Sequence, residues 1–377
     1  MHWDIPTYSH LFDRVNDHPH SGWIGFYRQR REKTGARSAP IVAGGTGCEA
    51  LGLENPIKNE GHCSYHRQLC ILIFGIISAL FVFSGCATVS TKNWNQDAGD
   101  LPPKHELKAV PFYPQKEYQC GPASLAMTLA WSGLPIDPEA LTSQVFTPSL
   151  KGSLPPAMVA ATRRHGRVAY PVSGANALLK EIAAGHPVIV LQNLGFSWIP
   201  RWHYAVVIGY DLNAGVITLH SGVTHQKKTS LRAFENTWAR SDYWGLATLP
   251  PNRLPASADE TTYVLAIVGL EKARQWNAAV KGYQTALNHW PNNLSAHIGL
   301  SNSLYAQGEL KSAEKVLRKT TDLFPNEGVA FNNLAQVLWE QGKKQEAIKT
   351  ARQAVTLGGP FVEQYRQTLD EFQSDEP

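Results

Sequence analysis

Three stretches near the C-terminus repeat one another at a fixed spacing. Ala279, Ala313 and Ala347 stand 34 and 34 residues apart, Leu270, Leu304 and Leu338 likewise, and Pro291, Pro325 and Pro360 are spaced 34 and 35. Gly308 and Gly342 also differ by 34, with Arg274 replacing the glycine in the first copy. A period of this length fits a pair of helices per copy, with small residues where the helices cross and a proline ending the second. One such pair buries too little surface to be stable alone, so the copies must stack and share a core.

The pattern resembles tetratricopeptide repeats, about three of them over residues 256–377. Phe331, Leu334 and Trp339 suit the first helix of the third copy, Ala347, Ile348, Ala351 and Ala354 the second, and Phe361 to Phe372 a terminal capping helix. The resemblance implies an all-α solenoid whose concave surface binds a peptide or protein partner. Such repeats carry no chemistry of their own, so any reaction must be sought upstream.

Leu249-Pro250-Pro251-Asn252-Arg253-Leu254-Pro255 breaks every periodic element and separates the repeats from an earlier domain, residues 106–250. That domain reads helix first: Ala123 to Trp131, Pro138 to Gln144, Leu154 to His165 and Ala177 to Ala184. Strands follow at Val188 to Gln192, His203 to Tyr210 and Val216 to His220, and Leu212-Asn213-Ala214-Gly215 has the turn chemistry to pair the last two as an antiparallel hairpin. Helices followed by strands predict an α+β domain. With 43% hydrophobic residues there is enough to bury a core, and a net charge of +4 over 377 residues implies no nucleic-acid partner.

The N-terminal region sets the expected compartment. Leu69 to Phe83 is an uncharged apolar run of 15 residues, too short for the ~20 of a spanning helix but within the ~7–15 of a signal-peptide core. His66 and Arg67 precede it, and Phe83-Ser84-Gly85-Cys86 resembles a bacterial lipobox, which implies lipidation of Cys86. Residues 66–86 are therefore expected to be a lipoprotein signal peptide, and the polar stretch 87–105 a tether. Residues 1–65 show no sustained periodicity and are expected to be a non-native or disordered extension ahead of the true start. These expectations place the chain on the periplasmic side of a membrane, at the outer membrane, held by its lipid.

Of five cysteines, only Cys120 lies beyond residue 86. It sits in Tyr118-Gln119-Cys120-Gly121-Pro122-Ala123-Ser124, a loop delivering a thiol to the first turn of a helix, where free backbone N–H groups and the helix dipole favour thiolate. An unpaired thiol in an oxidising compartment favours a reactive role over a packed one. A thiol nucleophile needs a base, and His203 is the best placed, at the mouth of a strand and flanked by Trp198 and Trp202, which can wall a cleft. His220 and His225 are less well placed, and His165 and His186 read as structural.

Val110 to Gln115, Tyr118 to Met127, Gly185 to Val190 and His203 to Asp211 together resemble the C39-like branch of papain-fold cysteine peptidases, over about residues 108–225. The arrangement is similar overall to lipoproteins of Gram-negative bacteria that join such a domain to tetratricopeptide repeats. The resemblance implies a papain-like fold, peptide or protein substrate, Cys120 as nucleophile, His203 as general base and Gln115 as oxyanion donor, with Gln119 the second candidate. It implies no cofactor and no metal.

The chain departs from the family at the residue that orients the histidine, normally Asp or Asn. The hairpin places Ser221-Gly222-Val223 opposite His203, so Ser221 is the first candidate, although a hydroxyl cannot stabilise imidazolium as a carboxylate does. Asp211 is the alternative, but it lies eight residues along the strand, about 26 Å away, and better suits the turn. His220 or a main-chain carbonyl is a further possibility. Two functions follow: an exported, lipid-anchored cysteine peptidase or amidase, or a catalytically weak papain-like domain in a scaffold that acts through its repeats.

Overall fold

In the computed structural model, residues 94–374 apart from residue 197 are described. The expected extension 1–65, the signal peptide 66–86 with Cys86, and residues 87–93 of the tether lie outside them.

The first domain is built on one antiparallel sheet. Its strands are β1 (Lys104–Glu106), β4 (Val168–Val172), β5 (Val188–Asn193), β6 (Trp202–Asp211), β7 (Val216–Ser221), β8 (Thr224–Ser230) and β9 (Gly245–Leu249). They run β4-β9-β5-β6-β7-β8, with β1 pairing the far end of β6, and Phe146–Thr147 (β2) and Gly152–Ser153 (β3) form a separate small hairpin. The apolar runs of β5 and β6 are buried almost throughout, which puts them at the centre. β6 and β7 form the expected hairpin, Asp211 opposite Val216, with Gly215 at φ 65° in the turn.

Helix α2 (Cys120–Trp131) packs against β6 and buries Gly121 to Leu129, so it is a core helix rather than an amphipathic one. Around it lie α3 (Pro138–Val145), capped by Asp137, and α4 (Pro155–Arg164), while α5 (Ala175–Ala183) packs against β6 and β1. A short helix, α6 (Leu231–Trp238), joins β8 to β9.

Residues 94–105 of the expected tether are folded. From Trp94 the chain is folded: α1 (Trp94–Ala98) buries Trp94, whose Nε1 donates to Glu235 of α6 at 2.7 Å, and β1 pairs with β6. Polar composition hid this because one tryptophan supplies most of the anchoring. Other elements also escaped the sequence pattern. β4 contains Pro171, which is tolerated because β4 is an edge strand. β8 is exposed along most of its length, so it has no apolar alternation to read. β9 is short and α6 only two turns long.

The second region is the expected solenoid. Helices α7 (Glu260–Lys272) and α8 (Trp276–His289), α9 (Leu294–Ala306) and α10 (Leu310–Leu323), α11 (Gly328–Glu340) and α12 (Lys344–Leu357) form three pairs, closed by α13 (Val362–Ser374). The repeated alanines 279, 313 and 347 are all fully buried at the crossings. Glu271 of α7 accepts hydrogen bonds from Tyr283 of α8 and Ser303 of α9, each at 2.9 Å, tying the first pair to the second.

The Pro-rich break is not a hinge. One apolar core runs continuously from Trp94 to Leu300. Buried Glu181 accepts from the backbone and hydroxyl of Ser257 at 2.7 and 2.6 Å and bonds His186 Nδ1 at 2.7 Å, while Tyr170 Oη donates to the Ser257 carbonyl at 3.1 Å. His186 is thus structural, as expected.

Candidate active site

Cys120 is the first residue of α2, and its surroundings follow from that position. Ala123 N–H bonds the carbonyl of Gln119 at 3.1 Å, Pro122 has no N–H, and Gln119 makes no side-chain cap. The N–H groups of Cys120 and Gly121 therefore remain for other partners. Burial pushes the Cys120 thiol above its ordinary range, and the backbone amides of Tyr204, Gly121 and Cys120 itself pull it partly back. Tyr204 follows His203 directly, so the sulfur lies against the peptide that carries the candidate base.

His203 sits at the start of β6, opposite Gln192 of β5. Its Nε2 lies 2.9 Å from Ser221 Oγ. The ladder explains this: with Val206 opposite His220, Ser221 faces Ala205, and His203 lies on the same side two residues along, within diagonal reach. Among the described residues the ring makes no hydrogen bond to the Cys120 sulfur, and Ser221 is its one hydrogen-bond partner. Burial, then the charges of Lys227 and Arg201, push the His203 pKa down to about 4. Thiol and imidazole are consequently both neutral near pH 7.

Gln115 is buried, and its carboxamide is a bridge. Nε2 donates to Ser124 Oγ of α2 and to the Tyr204 carbonyl of β6, both at 3.2 Å, and Oε1 accepts from Gly222 N–H at 2.8 Å. The Gln115 backbone N–H also bonds the Gly222 carbonyl at 3.0 Å. The side chain thus fills the gap where β6 and β7 separate beyond Val206 and His220, acting as one more rung of the ladder. Both amide hydrogens are engaged, so an oxyanion would have to displace one acceptor. Gln119 instead accepts from Thr142 at 2.9 Å through Oε1.

Asp211 does not approach His203. It lies at the other end of β6, ion-paired to Lys104 at 3.0 Å and accepting from Ala214 N–H at 2.9 Å, as a turn residue should. His220 cannot orient His203 either. Its Nε2 bonds the Val110 carbonyl at 3.2 Å, its Nδ1 accepts from Gln226 N–H at 3.3 Å, and its ring stacks on His225 at 4.7 Å. Ser221 is thus the candidate that the structure places beside the imidazole.

Residues 107–245 match the Peptidase_C39 like family, and residues 270–331 and 329–358 match tetratricopeptide repeats. The chain carries a C39-like peptidase domain followed by tetratricopeptide repeats. No curated protein matches the chain significantly. Among solved structures it is similar to a C39-like peptidase from Bacillus anthracis, at 18% identity over 39% of this chain and 97% of that one, TM-score 0.33. It is also similar to the type III secretion translocator chaperone SycD of Yersinia enterocolitica, at 16% identity over 31% of this chain and 93% of that one, TM-score 0.30. A tetratricopeptide-repeat protein of Thermus thermophilus gives 20% identity over 31% and 64%, TM-score 0.29.

Three residues of the C39-like domain that shape the site were not singled out by the sequence. Gly121 packs so closely on Ser153 of β3 that a Cβ there would overlap its side chain. Tyr204 Oη donates to the Ser153 carbonyl at 3.3 Å, so the β2–β3 hairpin is fastened beside the nucleophile from two directions. Gln192, paired with His203, donates to Thr237 of α6 at 2.6 Å and braces the strand that carries the base. The polar end of the otherwise apolar run Val188-Ile189-Val190-Leu191-Gln192 is the signal that would have found Gln192.

Proposed function

We propose that this chain is an exported, lipid-anchored cysteine peptidase that cleaves a peptide or amide bond through a thioester on Cys120. The observation that supports this reading is the Cys120 sulfur beside the backbone amide of Tyr204, the residue after His203, whose Nε2 lies 2.9 Å from Ser221 Oγ. With Nε2–H donating to Ser221, Nδ1 is the free basic nitrogen. It takes the thiol proton as sulfur attacks the carbonyl carbon, then returns that proton to the leaving amine, and water activated by the same nitrogen releases the acyl group. The Cys120 N–H at the helix start supports the oxyanion, joined by Gln115 if its bond to Tyr204 or Ser124 yields.

Because both groups are neutral at rest, the reading is of general-base attack rather than a standing ion pair. Cys86 supplies the lipid on the periplasmic side of the outer membrane, and the repeats hold a protein partner or present the substrate. The test is hydrolysis of a mixed peptide library by the full chain. Cleavage abolished by Cys120→Ala and reduced at least a hundredfold by His203→Ala supports the reading; cleavage that survives Cys120→Ala overturns it.

One observation favours a second reading. Among the described residues no carboxylate bonds His203, and its low pKa works against the imidazolium that acyl transfer requires. A domain retaining the fold while the repeats do the binding would show no Cys120-dependent cleavage.

A further inference from the structure

The turn between β5 and β6 carries an apolar tip that the fold holds out in water. Phe196 is 61% exposed, Trp198 74% and Ile199 66%, and the Phe196 and Trp198 rings stack with centroids 4.8 Å apart and planes 7° from parallel. The backbone braces this shape. Leu194 N–H bonds the Arg201 carbonyl at 2.9 Å and Phe196 N–H the Ile199 carbonyl at 3.1 Å. Asn193 Oδ1 accepts from the N–H groups of Gly195 and Arg201 at 3.0 and 2.9 Å, and Arg240 donates to the carbonyls of Asn193 and Gly195 at 3.2 and 2.6 Å. Gly195 lies so near the Ile199 carbonyl that any Cβ would overlap it. A hairpin this fixed cannot fold its apolar tip back onto the domain.

The tip has the wrong shape for a peptide site. Trp202, directly before His203, is the least exposed of the turn's four large apolar side chains from Phe196 to Trp202, at 42%. A bound peptide is gripped in a concavity; a convex aromatic tip suits a medium that closes around it. Its base is cationic, with Arg201 and Arg240 both exposed there. Trp, Phe and Ile above two exposed arginines is the composition of a contact with anionic lipid headgroups and the acyl boundary beneath them.

Chain geometry points the same way. Helix α6 holds Trp94 through Glu235, and Arg240, five residues further on, holds the hairpin, so the start of the folded chain and the base of the tip share one short support. Only residues 87–93 separate Cys86 from Trp94, a span of at most about 28 Å even when fully extended. A lipid on Cys86 keeps this end of the domain close to the bilayer.

We propose that the Phe196–Trp198–Ile199 tip inserts into the interfacial layer of a lipid bilayer, as a second membrane contact that opens the Cys120–His203 cleft at the membrane surface. The proposal rests on the reading of Cys86 as lipid-bearing. The test uses the full chain, purified from its host membrane and reconstituted into phosphatidylethanolamine–phosphatidylglycerol vesicles containing a diazirine-tailed phospholipid, then irradiated, digested with trypsin and mapped by mass spectrometry. Lipid adducts on both the N-terminal peptide and the peptide Glu181 to Arg201 are expected, with the second lost at least tenfold in the double variant Phe196→Ser, Trp198→Ser. Adducts on the N-terminal peptide alone would overturn the tip while leaving the anchor standing; no adducts at all would overturn both. Unchanged labelling in the double variant, with a raised KM for a soluble peptide, would overturn insertion in favour of a substrate-gripping tip.

Discussion

His203 Nε2 lies 2.9 Å from the Oγ of Ser221, so the residue that orients the candidate base is a hydroxyl and not a carboxylate. The hydroxyl holds the ring by one hydrogen bond, yet it offers no charge to an imidazolium. Ser221→Ala should therefore lower kcat about tenfold or less, through lost orientation alone. Ser221→Asp supplies the missing charge and should raise the His203 pKa from its depressed value toward the ordinary range. Peptide hydrolysis and the NMR titration of the His203 ring check both outcomes.

Gln115 joins α2, β6 and the turn after β7 through its carboxamide. Gln115→Ala should lower unfolding stability by about 1–3 kcal/mol in urea, because it strands the partly buried Gly222 N–H and the buried Tyr204 carbonyl, and should lower kcat as well. A residue that only donated to an oxyanion would change kcat and leave the urea midpoint where it was.

Arg274 stands at φ 57°, where Gly308 and Gly342 in the later copies stand at 77° and 76°. The left-handed backbone belongs to the repeat, and the first copy adopts it with a side chain that disfavours it. Arg274→Gly should stabilise the protein by about 0.5–1 kcal/mol after the extra freedom of the unfolded glycine is allowed for, as a higher urea midpoint at unchanged slope.

Burial pushes Glu271 up to about 7, although Tyr283 and Ser303 both donate to it. The folded state therefore keeps this proton to a higher pH than the unfolded chain, whose carboxyl ionises near its ordinary 4.5. Stability is full below that pH and is lost as pH rises through 7, by on the order of 3 kcal/mol. Glu271→Gln carries no charge, so it should be about level with the parent at pH 5 and more stable at pH 8. Urea unfolding at the two pH values decides this.

What the sequence revealed and what it hid divide by range. The repeated alanines, the Arg274 substitution and the hairpin around Leu212 to Gly215 are local or periodic, and the helix and strand geometries act on them directly. The Cys120 loop and His203 were legible because each lies at an element boundary with a recognisable pattern. The bridging of Gln115 was not, since its partners Ser124, Tyr204 and Gly222 come together only when β6 and β7 part at their ends. Nor was the docking of Trp94 on Glu235, 141 residues away, which makes residues 94–105 of the expected tether part of the folded chain. β8, with almost no buried side chain, gave no pattern to read.

The central claim is that His203 acts on Cys120, and alkylation of the full chain by iodoacetamide from pH 5 to 10 tests it most directly, with modification of Cys120 followed by mass spectrometry. Since His203 loses its proton at about pH 4 and burial holds the thiol above its ordinary range, the parent should show a flat, base-assisted rate from about pH 5 upward before the thiol itself ionises. His203→Ala should remove that plateau. A single rise centred near the ~8.5 of a free thiol, identical in parent and His203→Ala, would contradict the account.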